Sequence, residues 1–134
     1  MQAIHVVREK LKTYPDVRFE ATETDVIIHP QNKDGFRVSL HLQNNSFLIG
    51  FEGWHEEFSD EIEALNCFAF GLSDQCRLRV VSVAGLDYKY VLQHLSKDCW
   101  IDDSEVGYFW FPKWMTKERF LQNGIIKSDA TQPK

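Results

Sequence analysis

Apolar and polar side chains alternate along residues 17–53, and this alternation predicts an antiparallel meander. A period of two places successive side chains on opposite faces of a strand, so that one face is apolar and the other polar. Asn, Asp and Gly gather in residues 31–35 and at Asn44-Asn45, and these residue types favour turns. Two turns at these places divide the segment into strands that run antiparallel.

The turn positions also predict the register of these strands. With turns centred on Lys33 and on Asn44-Asn45, each residue of the middle strand acquires two cross-strand neighbours. The expected rows are Ile28, Val38 and Phe51; Val26, Leu40 and Ile49; Asp25, His41 and Leu48; and His29, Arg37 and Glu52. All of the large apolar residues then share one face, as a sheet with one buried face requires.

Helical spacing of apolar residues predicts a helix on each side of the meander. The first covers residues 2–14 and stops at Pro15, because proline breaks a helix. Ser59 or Asp60 can cap the second, and Gly71 is its expected C-terminal stop. The expected apolar stripes comprise Ile4, Val7, Leu11 and Tyr14 in the first helix and Ile62, Leu65, Phe68 and Ala69 in the second.

The chain returns to strand-like patterns after the second helix. Residues 76–84 and 88–95 read as two strands joined by a turn. Residues 106–111 are aromatic on both faces, and we expect them to form a central or covered strand. Residues 113–121 fit either a short helix or a last strand.

Together these elements predict a single-domain α+β fold in the order α-βββ-α-βββ. The strands would form one or more antiparallel sheets, with the helices packed on the apolar sheet face. A chain of 134 residues suits one domain. We expect that domain to occupy residues 1–122 and the polar residues 123–134 to form a flexible tail.

Composition narrows the classes of function. The hydrophobic content of 43% is that of a globular protein, and the formal net charge is −5. Nucleic acid is therefore an unlikely partner, since its phosphate backbone attracts cationic surfaces. The cysteines do not form CxxC, the chain does not begin like a signal peptide, and no apolar run is long enough to span a membrane. We expect a cytoplasmic protein with reduced thiols and no membrane contact.

Residues 52–63 carry many acidic side chains and no lysine or arginine. We expect this segment to turn from a strand into the second helix, where acids complement the helix dipole. Its candidate binding residues, named here the acidic-aromatic corner, are Glu52, Trp54, His55, Glu56, Glu57 and Asp60. The leading hypothesis is a non-enzymatic protein-binding or accessory module that uses this corner or an aromatic edge, with a homodimer as one form of association.

The alternative hypothesis is a small enzyme or ligand-binding domain with a pocket near His55 and His41. Asp25 could orient His41, as a carboxylate orients a catalytic imidazole. A cation beside Cys76 could lower the pKa of its thiol. Packing and cross-strand pairing explain the same residues without catalysis. We expect no metal and no cofactor, because neither ligand spacing nor a glycine-rich phosphate loop is present.

Cations and aromatic residues also occur together in the last third of the chain. The cations are Arg77, Arg79 and Lys89, expected on one sheet face, and Lys113, Lys117 and Arg119, close in sequence to Trp110 and Trp114. Such a mixture can bind single-stranded nucleic acid. Pairing with the acidic-aromatic corner, within the fold or across a dimer, fits the acidic chain better. Residues 109–111 are expected in the core; if exposed, they would form an apolar patch that requires a partner.

Overall fold

Two antiparallel sheets and two α-helices form one α+β domain in the computed structural model, which describes residues 2–107 and 110–127. In chain order the elements are α1 (Gln2–Leu11), β1 (Phe19–Ala21), β2 (Asp25–Ile28), β3 (Val38–Leu42), β4 (Phe47–Phe51), β5 (Trp54–Phe58), α2 (Glu61–Leu72), β6 (Cys76–Val83), β7 (Leu86–Ser96), β8 (Cys99–Gly107) and β9 (Thr116–Leu121), with a 3₁₀ turn (Lys113–Met115) before β9. The fold class is the predicted one, whereas the strand order differs, as described below.

The first sheet has the order β1-β2-β3-β4-β5. The predicted register of its three middle strands is confirmed. Val38 pairs with Ile28 and Phe51, and His41 pairs with Asp25 and Leu48. The apolar residues of the core-facing rows are 0–1% exposed, namely Val26, Ile28, Val38, Leu40, Ile49 and Phe51, so this face of the sheet lies in the core.

The expected order α-βββ-α-βββ is wrong because two further strands flank the meander. Residues 54–58, expected as a corner, form β5 at the edge of the sheet. A two-residue turn at Glu52-Gly53 reverses the chain, with Glu52 at a φ of 53°. A Cβ atom on Gly53 would lie 2.1 Å from the Tyr90 ring. The turn therefore needs glycine for space, and it returns Trp54 to the core.

Helix α2 differs from the prediction at its end and on its buried face. Asp60 caps it, and its Oδ2 accepts a hydrogen bond from the Glu63 backbone nitrogen at 2.9 Å. The helix continues through Gly71 to Leu72. Ile62 is 68% exposed, so it does not belong to the buried stripe. The buried residues of α2 are Ala64, Phe68, Gly71 and Leu72.

The second sheet has the order β8-β7-β6-β9. Ala84 and Gly85, with φ of 52° and 82°, form the tight hairpin between β6 and β7. The expected central strand at residues 106–111 is wrong, since Val106 and Gly107 end the edge strand β8. Residues 108–109 lie outside the described part of the chain. Residues 113–121 contain both a 3₁₀ turn and a strand.

One cluster of buried side chains joins both helices and both sheets. Residues 123–127 lie against the end of α2, where the backbone nitrogens of Ile125 and Ile126 donate to the Leu72 oxygen at 2.8 and 2.9 Å. The rest of the expected tail, residues 128–134, lies outside the described residues. Neither described helix has the length and apolar character needed to cross a membrane.

Candidate functional site

Most of the acidic-aromatic corner lies on the edge strand β5, where Trp54 is buried and the three residues that follow it are exposed. Trp54 is 1% exposed; its ring stacks on Phe51 at 4.9 Å, and its Nε1 donates to Ser104 Oγ at 2.9 Å. His55 and Glu56 are exposed. The aromatic member of the corner is therefore part of the core, and only its polar members face solvent.

The remaining acidic members of the corner have local partners. Glu57 Oε2 accepts a hydrogen bond from Ser46 Oγ at 2.8 Å. Asp60 caps α2, and Glu52 Oε2 lies 3.6 Å from the Arg37 guanidinium. These contacts explain part of the acidic excess as support for β5, its turn and the following helix.

His41 and Asp25 form the predicted cross-strand pair on the solvent side of the first sheet. The Nδ1 of His41 and Oδ1 of Asp25 are hydrogen-bonded. Hydrogen bonds from Thr24 and then from His41 hold the pKa of Asp25 below its usual value. Ser39 Oγ donates to the Gly50 oxygen at 3.5 Å rather than to His41. The imidazole is thus oriented by Asp25, and no hydroxyl or thiol of the described residues is hydrogen-bonded to it.

The two candidate histidines do not converge on one site. His55 pairs with Gly50 of β4, and His41 pairs with Leu48 of the same strand from the other side. Strand β4 therefore separates them. No group of three His, Cys, Asp or Glu side chains within residues 2–107 and 110–127 is placed to hold a metal ion.

The cysteine at position 76 is unsuited to nucleophilic chemistry. Cys76 is 0% exposed, and burial raises the pKa of its thiol. A nucleophile requires the opposite shift, because the thiolate is the reactive form. Arg77, expected to lower this pKa, projects from the other face of β6.

Most of the cations of β6 and β7 are neutralised by acids of neighbouring strands. Arg79 contacts Asp102 and Glu118, and Lys89 Nζ lies 3.1 Å from Glu105. Within the fold, these cations therefore do not pair with the acidic-aromatic corner as expected; pairing across a dimer stays a prediction. Acids of β8 and β9 fulfil that role, and the face carries no net excess of positive charge for a phosphate backbone.

Arg77 is held differently, between two aromatic rings. Its guanidinium lies 4.5 Å from the Trp100 ring centroid and 4.1 Å from that of Phe120. Its Nε donates to Gln93 at 2.6 Å. Stacking and hydrogen bonding fix this side chain, and together they desolvate it, which lowers its pKa.

An exposed apolar surface lies at the hairpin end of the second sheet. We call it the aromatic patch and define it as Leu86, Trp110, Trp114 and Met115, which are 74%, 83%, 84% and 39% exposed. Leu86 and Thr116 both pair with Val83, one on each side. The turn that carries Trp114 and Met115 therefore lies at the same end of the sheet as Leu86.

Two contacts hold the chain around the patch in place. The Arg119 guanidinium makes hydrogen bonds of 2.6 and 2.8 Å to the two carboxylate oxygens of Asp87, tying β9 to the start of β7. The Phe111 ring meets the Tyr88 ring edge-on at 4.9 Å, which places the neighbouring Trp110 beside β7. The patch is thus carried by a supported part of the sheet.

The aromatic patch has a cationic border. Lys113 and Lys117 adjoin it in the chain, and neither makes an ion pair within the described residues. Sequence reasoning expected Trp110 in the core and gave an exposed apolar patch as the alternative; Trp110 is 83% exposed, so the expectation of burial is wrong. Pro112 was the available signal, since a proline interrupts a strand and its hydrogen-bond ladder.

Comparison with known proteins gives no functional information. The chain matches no protein-family model, no curated protein sequence and no solved structure. A functional proposal therefore rests on the chemistry of the protein surface.

Proposed function

We propose that this chain is a non-enzymatic protein-binding module whose contact surface is the aromatic patch. The observation that carries the proposal is the exposure of Trp110 and Trp114, at 83% and 84%, at one end of the same sheet. Tryptophan and methionine are enriched at protein interfaces, where buried aromatic side chains supply much of the binding energy. Exposed apolar groups gathered in one place are typical of interaction surfaces.

The border of the patch indicates the chemistry of the partner. Lys113 and Lys117 would lie at the rim of a contact centred on the tryptophans. A partner with an apolar recess surrounded by acidic side chains complements this arrangement, and opposite charge increases the rate of association. The positive charge is local, because the whole chain has a formal net charge of −5.

Under this proposal, the exposed acidic side chains of β5 help to orient the partner. Glu56 and Glu57 belong to the first sheet, whereas the patch belongs to the second. Like-charge repulsion disfavours docking of an acidic partner on β5. The partner is thereby directed toward the patch.

The alternative of an enzyme with a pocket near His55 and His41 has less support. Strand β4 lies between the two imidazoles, and no hydroxyl or thiol of the described residues is hydrogen-bonded to His41. Cys76 is buried. These features favour the binding module over the enzyme.

A displayed library of random peptides tests both the surface and the partner chemistry. Peptides selected on the full chain should combine acidic with aromatic or aliphatic residues. Their affinity should fall at least about tenfold in the Trp110→Ala/Trp114→Ala variant, as expected for truncation of interface hot spots. Added salt should also weaken binding through the lysine rim.

A matched control is the Val6→Ala/Ile62→Ala variant, which removes exposed apolar groups of α1 and α2 and should bind the selected peptides normally. Equal binding by the tryptophan variant, with an unchanged circular dichroism spectrum, would contradict the proposal.

Sedimentation at several concentrations identifies a second copy as the partner if association is lost with the tryptophans. Tryptophan-dependent binding to phosphatidylcholine–phosphatidylglycerol vesicles without peptide binding would instead indicate a membrane-facing surface.

A further inference from the structure

A second candidate site is an apolar pocket between α1 and α2. The pocket has a volume of about 180 Å³. Aliphatic and aromatic side chains form almost all of its wall, including Val7, Leu11, Leu65, Phe68, Leu72 and Ile126. The pocket is open to solvent, so a ligand that entered it would remove this apolar wall from contact with water.

Lys10 and Tyr14 are the residues with polar groups among those that line the pocket, and we define its mouth by them. Lys10 lies in the last turn of α1, and Tyr14 lies beyond the end of that helix. Lys10 makes no ion pair among the described residues; the nearby Glu9 is taken by Lys12 at 2.6 Å. The hydroxyl of Tyr14 likewise has no hydrogen-bond partner within the described part of the chain. Both groups are available to a ligand head.

A polar cleft of about 460 Å³ continues from this mouth. Tyr14, Val17 and Ile125 line both the apolar pocket and the cleft. The cleft is bordered by Asp16 and Lys127, so with Lys10 the combined opening carries two cations and one anion. The pocket thus forms an apolar end, and the cleft forms a solvated end with a net positive charge.

The remaining C-terminal residues do not suit the apolar compartment. Residues 128–134 read Ser-Asp-Ala-Thr-Gln-Pro-Lys and contain no large apolar side chain. Ligand pockets are typically lined by hydrophobic and aromatic side chains, and the wall of this pocket is of that kind. The pocket is therefore suited to the tail of a separate ligand.

We propose that this pocket binds a single-chain aliphatic carboxylate, with its hydrocarbon tail between α1 and α2 and its head at Lys10 and Lys127. The volume of 180 Å³ holds about six groups of methylene size, if each occupies roughly the 30 Å³ share of a water molecule. Octanoate is thus a suitable probe. The site is independent of the aromatic patch, so either proposal can fail alone.

Calorimetric titration of the full chain with butanoate, hexanoate and octanoate tests the tail. Each added methylene should tighten binding about fourfold, the factor expected for burial of one CH₂ group. Ala69→Phe places a ring at the exposed rim of the pocket and should abolish octanoate binding. Asn66→Phe, on an exposed position of the same helix outside the pocket wall, should not.

The head group is tested by comparing octanoate with octan-1-ol. Lys10→Gln/Lys127→Gln should weaken the binding of octanoate at least about threefold, consistent with loss of partly exposed charge pairing. The same variant should leave the affinity for octan-1-ol unchanged. Lys12→Gln is the matched control. Absence of octanoate binding at 10 mM, or binding unaffected by Ala69→Phe, would overturn the proposal. A change from dimer to monomer in Ala69→Phe would overturn it as well, because the groove would then be an interface between copies.

Discussion

At the scale of single residues, the most informative position is Gly71, because its role depends on a residue far away in sequence. A helix ending in glycine is common, and the sequence therefore suggested a stop. In the structure, Gly71 lies within α2, and an added Cβ would approach Phe51 Cε1 to 2.2 Å. The Phe51 ring cannot move easily, since it is 0% exposed and stacked on Trp54. Local sequence could not reveal this contact.

Gly71→Ala should therefore destabilise the domain, although alanine favours helices. The gain in helix propensity is at most about 1 kcal/mol, whereas overpacking a core costs about 1–3 kcal/mol. We expect a net loss of about 1–2 kcal/mol in the free energy of unfolding, measured with urea. Asn66→Ala, on the exposed side of the same helix, should be neutral or stabilising. Equal stability of the two variants would contradict the packing role of Gly71.

At the scale of elements, period-two alternation was sufficient for the register of β2, β3 and β4. It was insufficient for β5, because only Trp54 and Phe58 are apolar there and the acids between them resemble a helix start. The turn at Glu52-Gly53 is equally hidden, since its need for glycine comes from Tyr90 in the second sheet. Edge strands with polar residues on both faces give a weak periodic signal.

The link between β7 and β9 makes a prediction about pH. The hydrogen bond from Arg119, ahead of other causes, holds the pKa of Asp87 below its usual value of 3.8. A carboxylate with a lowered folded-state pKa stabilises the fold fully above its unfolded pKa and loses that contribution as pH falls through the folded pKa. Partial exposure of both side chains, 27% for Asp87 and 51% for Arg119, limits the contribution to about 1 kcal/mol or less.

Urea unfolding of Asp87→Asn measures this contribution. The variant should be less stable than the parent at pH 6. The difference should shrink as pH falls below about 4, because the carboxylate becomes protonated first in the unfolded chain and, at lower pH, in the fold. Glu23→Gln is a suitable control, because Glu23 is exposed and makes no ion pair among the described residues. A difference that stays constant between pH 6 and pH 2.5 would show that Asp87 acts through something other than its charge.

At the scale of the whole molecule, the aromatic patch arises only after β9 joins the sheet beside β6. Leu86 and Trp114 are far apart in sequence, and their placement depends on residues 113–121, for which the sequence left helix and strand open. The α1–α2 pocket likewise requires Ile125 and Ile126 to return to the end of α2. Local sequence patterns are sufficient to predict the fold class, whereas surfaces built from distant segments depend on the tertiary arrangement.

The three cysteines provide a test of how the whole molecule unfolds, because each of them is buried to a different extent. Cys99 is exposed, Cys67 is partly buried, and Cys76 is buried between the helices and sheets. Burial also raises the pKa of Cys67 to about 12, which leaves little reactive thiolate at pH 8. Labelling with Ellman's reagent should therefore give one fast equivalent, removed by Cys99→Ser, and the other two thiols should react at least about 100-fold more slowly. Reaction at Cys76 should follow global unfolding and accelerate with urea, since local fluctuations do not expose a central core position. Two fast equivalents in the native parent, or a fast phase that persists in Cys99→Ser, would mean that α2 or the second sheet opens without unfolding of the whole domain.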